Sequence, residues 1–310
     1  MPNWNEILNE IKEAGSPQDI IRRNYLAKLF TYTKRNVIIY YSAWLQKGHQ
    51  TEARPNLSIS DNDKNGLMSV VHKLDRTKGL DLILHTPGGD MSATESIITY
   101  LRAMFGVNIR AIVPQLAMSG GTMIACACKE IIMGEQSCIG PFDPQVGATP
   151  AQAIKEEFDR ASKEMSHDQS KAFLWQPILQ KYGVGLISQC EKVIALSDEV
   201  VRTSLESGMF KDDPEKEAKA KKIVEELGSH TMTKIHARHI HKAKAKEIGL
   251  NVVSLEDDRE LQDHVLSVHH SCMLTFEQTG AVKLIENHLG TCYAIANQTL
   301  LIAGMPGHQV

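Results

Sequence analysis

DLILHTPGGDMSATESIITYLRAMFGVNIRAIVPQLAMSGGTMIACACKEIIMG (81–134) is the stretch whose reading decides the fold. Residues 81–84 (DLIL) form a short apolar run that ends at the turn Thr86-Pro87-Gly88-Gly89. Residues 92–105 space their apolar side chains at helical intervals, and 109–113 is a second strand-like run. A loop at 114–119 leads into a compact apolar helix at 120–128, and 130–133 supplies another strand. Strands and helices alternating at this spacing predict an α/β core with parallel strands.

Outward from this stretch, 36–41 (NVIIYY) is β-rich. Two helices are expected before it: an amphipathic one at 4–14, with Trp4, Ile7, Leu8 and Ile11 on one face, and a second ending at Phe30. Residues 46–56 read as loop, and Asp61 or Asp63 is expected to cap a helix running to Leu74. Beyond Pro150 the pattern turns to long helices at 151–164, 168–182, 185–207 and 213–227. A short helix–strand unit (236–253) closes the core, 256–280 is helical, and 281–310 suggests a hairpin and a frayed end. The expected division is N-terminal helices at 1–34, an α/β core at 35–255 and a C-terminal extension at 256–310.

The 34 basic and 37 acidic side chains leave a formal charge of −3, so the chain is no general polycation for nucleic acid. The Lys-rich runs at 211–222 and 234–246 are interleaved with Glu or with Ala and His, and read as solvated helix faces. No stretch approaches a membrane span, and 1–15 lacks the basic start and apolar middle of a signal peptide. The six cysteines suit a reducing compartment as buried free thiols, which makes a cytoplasmic location the expectation.

Acyl-transfer chemistry needs a nucleophile beside two convergent backbone N–H groups that hold the developing oxyanion. A strand–Gly-Gly–helix junction supplies such donors, because the backbone can face a substrate without Cβ atoms in the way. Gly88-Gly89 stands at one junction and Gly120-Gly121 at the next, with Ser119 immediately before the second pair. A serine there can also be merely a helix cap. It is the pairing of the two junctions that favours a site.

HTPGGD (85–90), VPQLAMSGGTMIACACKEIIMG (113–134), SCIGPFDPQVG (137–147) and IHARHIHKAKAKEIGLNVV (235–253) together resemble the serine dehydrogenase proteinase family. That family groups with the signal peptide peptidases and the Clp proteolytic subunit in the crotonase-like superfamily. The resemblance covers roughly 35–255. It implies a Clp/crotonase-type core of repeated strand–strand–helix units with added outer helices. It also implies a serine peptidase with Ser119 as nucleophile, and an oxyanion hole from the N–H of Gly120 and one N–H of the Gly88-Gly89 loop.

The Clp proteolytic subunit takes its proton with a histidine downstream of the serine, where this chain reads Phe142-Asp143-Pro144. Signal peptide peptidases use a lysine instead, which burial must hold neutral. Lys163 is the expected base of a Ser–Lys dyad, with Lys171 and Lys155 as alternatives. Their eight-residue spacing turns a helix by about 80°, so one continuous helix does not present all three equivalently. His85 is a further candidate, more readily a strand-end residue. Asp143 shapes the turn after Gly140-Pro141 and has a conceivable role beside the base. His236, His239 and His241 do not share one helical face, and no carboxylate or cysteine nearby completes a metal set.

No cofactor is implied, and no G-x-G-x-x-G follows a first strand. Two rival readings on the same scaffold are acyl-CoA chemistry, which needs no Ser119, and a catalytically silent partner-binding protein. Peptides or proteins are the expected substrates. A closed homo-oligomer is the expected assembly, from the resemblance and from apolar residues on outer helices (Trp4, Ile7, Leu8, Phe173, Leu174, Trp175, Ile178, Leu179).

Overall fold

The computed structural model describes residues 7, 18–147, 149–229 and 235–296. Strand β1 (Asn36–Ser42, NVIIYYS) is buried along its whole length. Its β-branched and aromatic residues suit a pleated, covered surface. Successive side chains go to opposite faces: Ile38 and Tyr40 join one core, Val37, Ile39 and Tyr41 the other.

Around β1 lies a seven-stranded sheet in the order β10-β5-β3-β2-β1-β11-β12. Its members are β2 (Leu80–His85), β3 (Ile109–Val113), β5 (Glu130–Met133), β10 (Val252–Ser254), β11 (Ala281–Asn287) and β12 (Cys292–Ala296). From β10 to β1 every pairing is parallel, whereas β11 and β12 add an antiparallel hairpin at the far edge. A smaller sheet of β4 (Leu116–Ala117), β6 (Cys138–Ile139) and β9 (Ile240–His241) stands beside it, and β7 (Gln145–Val146) pairs with β8 (Thr149–Pro150).

In chain order the principal helices are α1 (Gln18–Thr33), α2 (Asn62–Val71), α3 (Met91–Phe105), α4 (Gly120–Cys126), α5 (Ala151–His167), α6 (Ala172–Leu179), α7 (Leu186–Ser207), α8 (Lys216–Gly228), α9 (Lys242–Ile248) and α10 (Arg259–Gln278). Helices α1 and α10 cover one sheet face through Leu26, Leu29, Val265 and Val268. Helices α2, α3, α4, α8, α9 and the end of α7 cover the other. Helix α5 and the start of α7 share a small separate cluster of Ala151, Ile154 and Cys190. Beside them α6 leaves Phe173 91% exposed.

The strands and long helices fall where the sequence places them. The 46–56 loop differs, because short helical turns at Trp44–Lys47 and Arg54–Leu57 occupy its ends. Asp61 holds the N-cap position of α2 without a side-chain bond, and Asp63 is instead wholly buried. The C-terminal hairpin is present, with β11 paired to β1 in the main sheet, so 256–310 contributes strands to the same sheet as 35–255. The helix expected at 4–14 lies outside the described residues apart from buried Ile7, and so does the tail after Ala296.

Candidate active site

Two crossovers meet at the C-terminal ends of β2 and β3, and the serine stands where they meet. Thr86 donates its N–H to Leu116 O at 3.1 Å and accepts from Met118 N at 2.9 Å, so the two loops are zipped together. The chain then turns sharply into α4, and Ser119 adopts φ 49°, ψ −115°. A positive φ is uncommon for a residue with a Cβ and costs free energy that the surroundings must offset. Its hydroxyl makes no capping bond to α4, and the side chain is half-buried rather than packed away. The strain therefore does not serve a cap.

Gly88 abuts this serine. A Cβ at Gly88, where φ is 92°, would lie 2.6 Å from Ser119 Cβ and 2.8 Å from Gly120 N, so only glycine fits. Gly89 is pressed on its other side by Ile59, whose backbone N would stand 2.3 Å from an added Cβ. Ile59 donates to Gly88 O at 2.8 Å and accepts from Asp90 N at 3.0 Å, a parallel bridge centred on Gly89. Alternate peptide groups of an extended segment point to opposite sides. With Gly88 O and Asp90 N facing Ile59, the N–H of Gly89 faces away from Ile59. The Gly88 N–H is already engaged with Thr86 Oγ1 at 3.1 Å.

The mouth of this junction opens into a pocket of about 520 Å3. Ser119, Gly88, Gly89 and Gly120 all line it. Met91, Met123, Phe142, Val193 and Leu196 supply apolar wall, while Ser58, Ser92 and Gln145 supply polar wall. Two further members are Asp143 and His236, joined by an Asp143 Oδ1 to His236 Nδ1 contact of 2.9 Å. Asp143 is buried and His236 partly exposed at the pocket. The turn carrying Asp143 is fixed on both sides of Phe142: its N–H donates to Leu227 O at 3.0 Å, and its O accepts from Ser197 Oγ at 3.1 Å.

Among the described residues, none that lines this pocket is a lysine. Lys163 is exposed on α5, and Lys171 is exposed just before α6. Lys155 faces Asp159 and Glu191 at 3.8 and 3.7 Å. Among the described residues, the lysine whose side chain is wholly buried is Lys283 of β11, engaged with Asp63. His85 points away into the core beside Tyr41, Trp44 and His269, and burial pulls its pKa down to about 3. His241 Nδ1 lies 3.1 Å from Cys138 Sγ, so His236 and His241 serve different places. Sequence reasoning weighed His236 only as a metal ligand. The signal available was a histidine entering the segment that closes the core, together with an aspartate in the turn facing it.

Residues 56–273, well over half of the chain, match the model of one family, the ClpP-like SDH-type serine proteinases. Two uncharacterised proteins of Methanocaldococcus jannaschii are also similar. One is 32% identical over 150 residues, covering 44% of this chain and 52% of the relative. The other is 31% identical over 194 residues, covering 63% of this chain and 59% of the relative. The chain thus spans between half and three-fifths of the length of these curated relatives. The extent of the family match, laid over a parallel sheet whose glycine loops meet at Ser119, makes this chain a member of the ClpP-like SDH-type serine proteinases.

Proposed function

We propose that the protein is a serine endopeptidase in which Ser119 is the nucleophile, His236 the general base and Asp143 the residue that orients it. The observation that carries this reading is one pocket holding a strained, uncapped serine together with a histidine whose Nδ1 is engaged by a buried aspartate. With Nδ1 so engaged, Nε2 is the nitrogen left to accept the Ser119 proton as Oγ attacks a peptide carbonyl. The N–H groups of Gly89 and Gly120 take the oxyanion. Collapse of the tetrahedral adduct passes the proton from His236 to the leaving amine, and water then releases the acyl group by the reverse sequence.

This reading replaces the Ser–Lys dyad expected from sequence, because a lysine base requires a buried, pocket-facing ammonium and Lys163 is exposed outside the lining. Acyl-CoA chemistry on this scaffold would leave the strain at Ser119 and the His236–Asp143 pair without a role.

Labelling with a fluorophosphonate probe tests the nucleophile. Ser119→Ala should lose labelling and peptide cleavage while the fold persists, at a stability change of at most about 2 kcal/mol. Undiminished cleavage by folded Ser119→Ala protein would remove the reading. Self-association belongs to the same proposal, supported by Phe173 and Leu174 standing exposed on α6. Mass photometry that finds a monomer at every concentration, with full peptidase activity, would remove that part alone.

A further inference from the structure

Behind the glycine loop lies a buried ionic network that the reaction itself does not touch. Lys283 of β11 and Asp63 of α2 are both wholly buried, with Lys283 Nζ 2.7 Å from Asp63 Oδ1 and 2.9 Å from Oδ2. Tyr40 of β1 donates its hydroxyl to Asp63 Oδ2 at 2.6 Å. Burying such a pair is costly in free energy unless its remaining hydrogen-bonding capacity is met. Here that capacity is met by one short piece of backbone. Ser60 N donates to Asp63 Oδ2 at 2.9 Å, and Lys283 Nζ donates to Ser58 O at 2.8 Å. The network therefore grips the residues on both sides of Ile59.

Ile59 is the residue that brackets Gly89, through Gly88 O and Asp90 N. We propose that Asp63, Lys283 and Tyr40 are positioning residues for the oxyanion donor of the Gly88-Gly89 loop, acting through the Ser58–Ser60 segment. The chain of contact is short. The carboxylate and ammonium set Ser60 N and Ser58 O, these set Ile59, and Ile59 sets which way the Gly89 N–H faces. An oxyanion donor contributes fully only when it is already aimed before the charge develops, so a rigid backing matters more than its distance from the chemistry suggests. Tyr40 and Lys283 fall outside the 56–273 stretch that the family matches. On this reading β1 and the C-terminal β11 complete the site.

The inference rests on the serine-peptidase reading, and its test uses two readouts so that the two can fail separately. The wild-type protein is compared with Tyr40→Phe and with the charge-neutral double variant Asp63→Asn/Lys283→Met, both of whose positions lie outside the pocket lining. Fluorophosphonate labelling should show the maximal acylation rate of the double variant falling by about tenfold or more, and that of Tyr40→Phe by about two- to fivefold. The half-saturating probe concentration should change by less than about threefold, which a collapsed pocket would not allow. Amide hydrogen exchange followed by mass spectrometry should rise at Ile59 and Asp90 in both variants, with the rest of the sheet unchanged. A wild-type protein that does not label defeats the peptidase reading and leaves the exchange experiment to decide the anchoring. Variants that label at the wild-type rate overturn the positioning role. So does unchanged exchange in Tyr40→Phe, which conserves the shape of the site should the double variant fold poorly.

Discussion

His85 and His236 make opposite uses of the same side chain. His85 directly precedes the glycine loop in sequence, yet its ring is buried on the far side of the sheet, with neither nitrogen hydrogen-bonded among the described residues. Burial alone pulls its pKa down to about 3, and neighbouring His269 is held well below its ordinary range for the same reason. His236 stands far along the chain from Ser119, yet it lines the serine's pocket and is held by a buried carboxylate. A histidine that burial keeps neutral, with no acceptor to receive its proton, is a packing residue. One that is solvent-accessible and oriented at one nitrogen is equipped to move a proton. His85 is the strand-end residue that its sequence position suggests, because β2 alternates: at its end one residue faces the core and the next begins the loop.

The largest test of this contrast is catalytic. His236→Ala should lower the acylation rate by about 10²- to 10⁴-fold, the range that a positioned general base contributes. Asp143→Asn should lower it by up to about 10⁴-fold as well, because an amide at this position can donate to Nδ1 and so hold the imidazole in the tautomer that cannot accept the serine proton. Both variants should melt close to wild type, since His236 is partly exposed and the substitution at Asp143 is nearly isosteric. His85→Phe should leave the acylation rate within about twofold, as a side chain outside the pocket can act only through packing. If the ranking came out reversed, with His85→Phe inactive and His236→Ala normal, the assignment of the base would pass to the core histidine.

What the sequence made legible follows the same division. That Ser119 and the two glycine pairs meet could be read because strand–turn–helix junctions are local, made by residues that sit side by side. The sheet could be read as well, since 81–84, 109–113 and 130–133 are continuous apolar runs. His236 and Asp143 could not be assigned together, because their contact is made by the closing segment folding back over a turn 93 residues earlier. The Asp63–Lys283 pair is further still from local reading, its partners standing 220 positions apart. Asp63 presented itself as a helix cap, which is what an aspartate at a helix start usually is. Only the return of β11 beside β1 converts it into half of a buried ion pair.

Acid stability sharpens the contrast by a smaller amount. The unfolded chain binds a proton at His85 near the ordinary value of 6.5, whereas the folded chain does so only near 3. Between those values the unfolded state carries more protons, so stability is full above about pH 6.5 and is lost progressively as pH falls toward 3. At pH 5 the loss from His85 is about 2 kcal/mol, and the lowered pKa of His269 acts in the same direction. Glu256, held down to about 2 with Lys242 hydrogen-bonded to it, loses its contribution only at lower pH, below the carboxylate range of the unfolded chain. Urea unfolding at pH 7.5 and 5.0 separates these windows. His85→Phe should show a smaller difference between the two pH values than wild type. An identical difference would mean that His85 is hydrated and titrates normally.

The smallest expected effect belongs to Lys163, and its smallness is informative. The side chain lies on the outer face of α5, exposed and away from the pocket lining. An exposed helix lysine changed to alanine alters stability by about 0.5 kcal/mol or less, and alanine is the better helix former. Lys163→Ala should therefore acylate within about twofold of wild type, and so should Lys171→Ala, measured side by side with His236→Ala on the same probe. The comparison reaches beyond one chain, because α5 packs in a small cluster apart from the main cores and α6 leaves Phe173 and Leu174 exposed. In an assembly, a lysine from this arm has one way into catalysis, which is to enter the pocket of a neighbouring copy. Mixing Lys163→Ala with Ser119→Ala protein would expose that arrangement. Restored labelling in the mixture, from two variants each inactive alone, would place the base on the neighbour. Full labelling by Lys163→Ala on its own would leave the proton with His236.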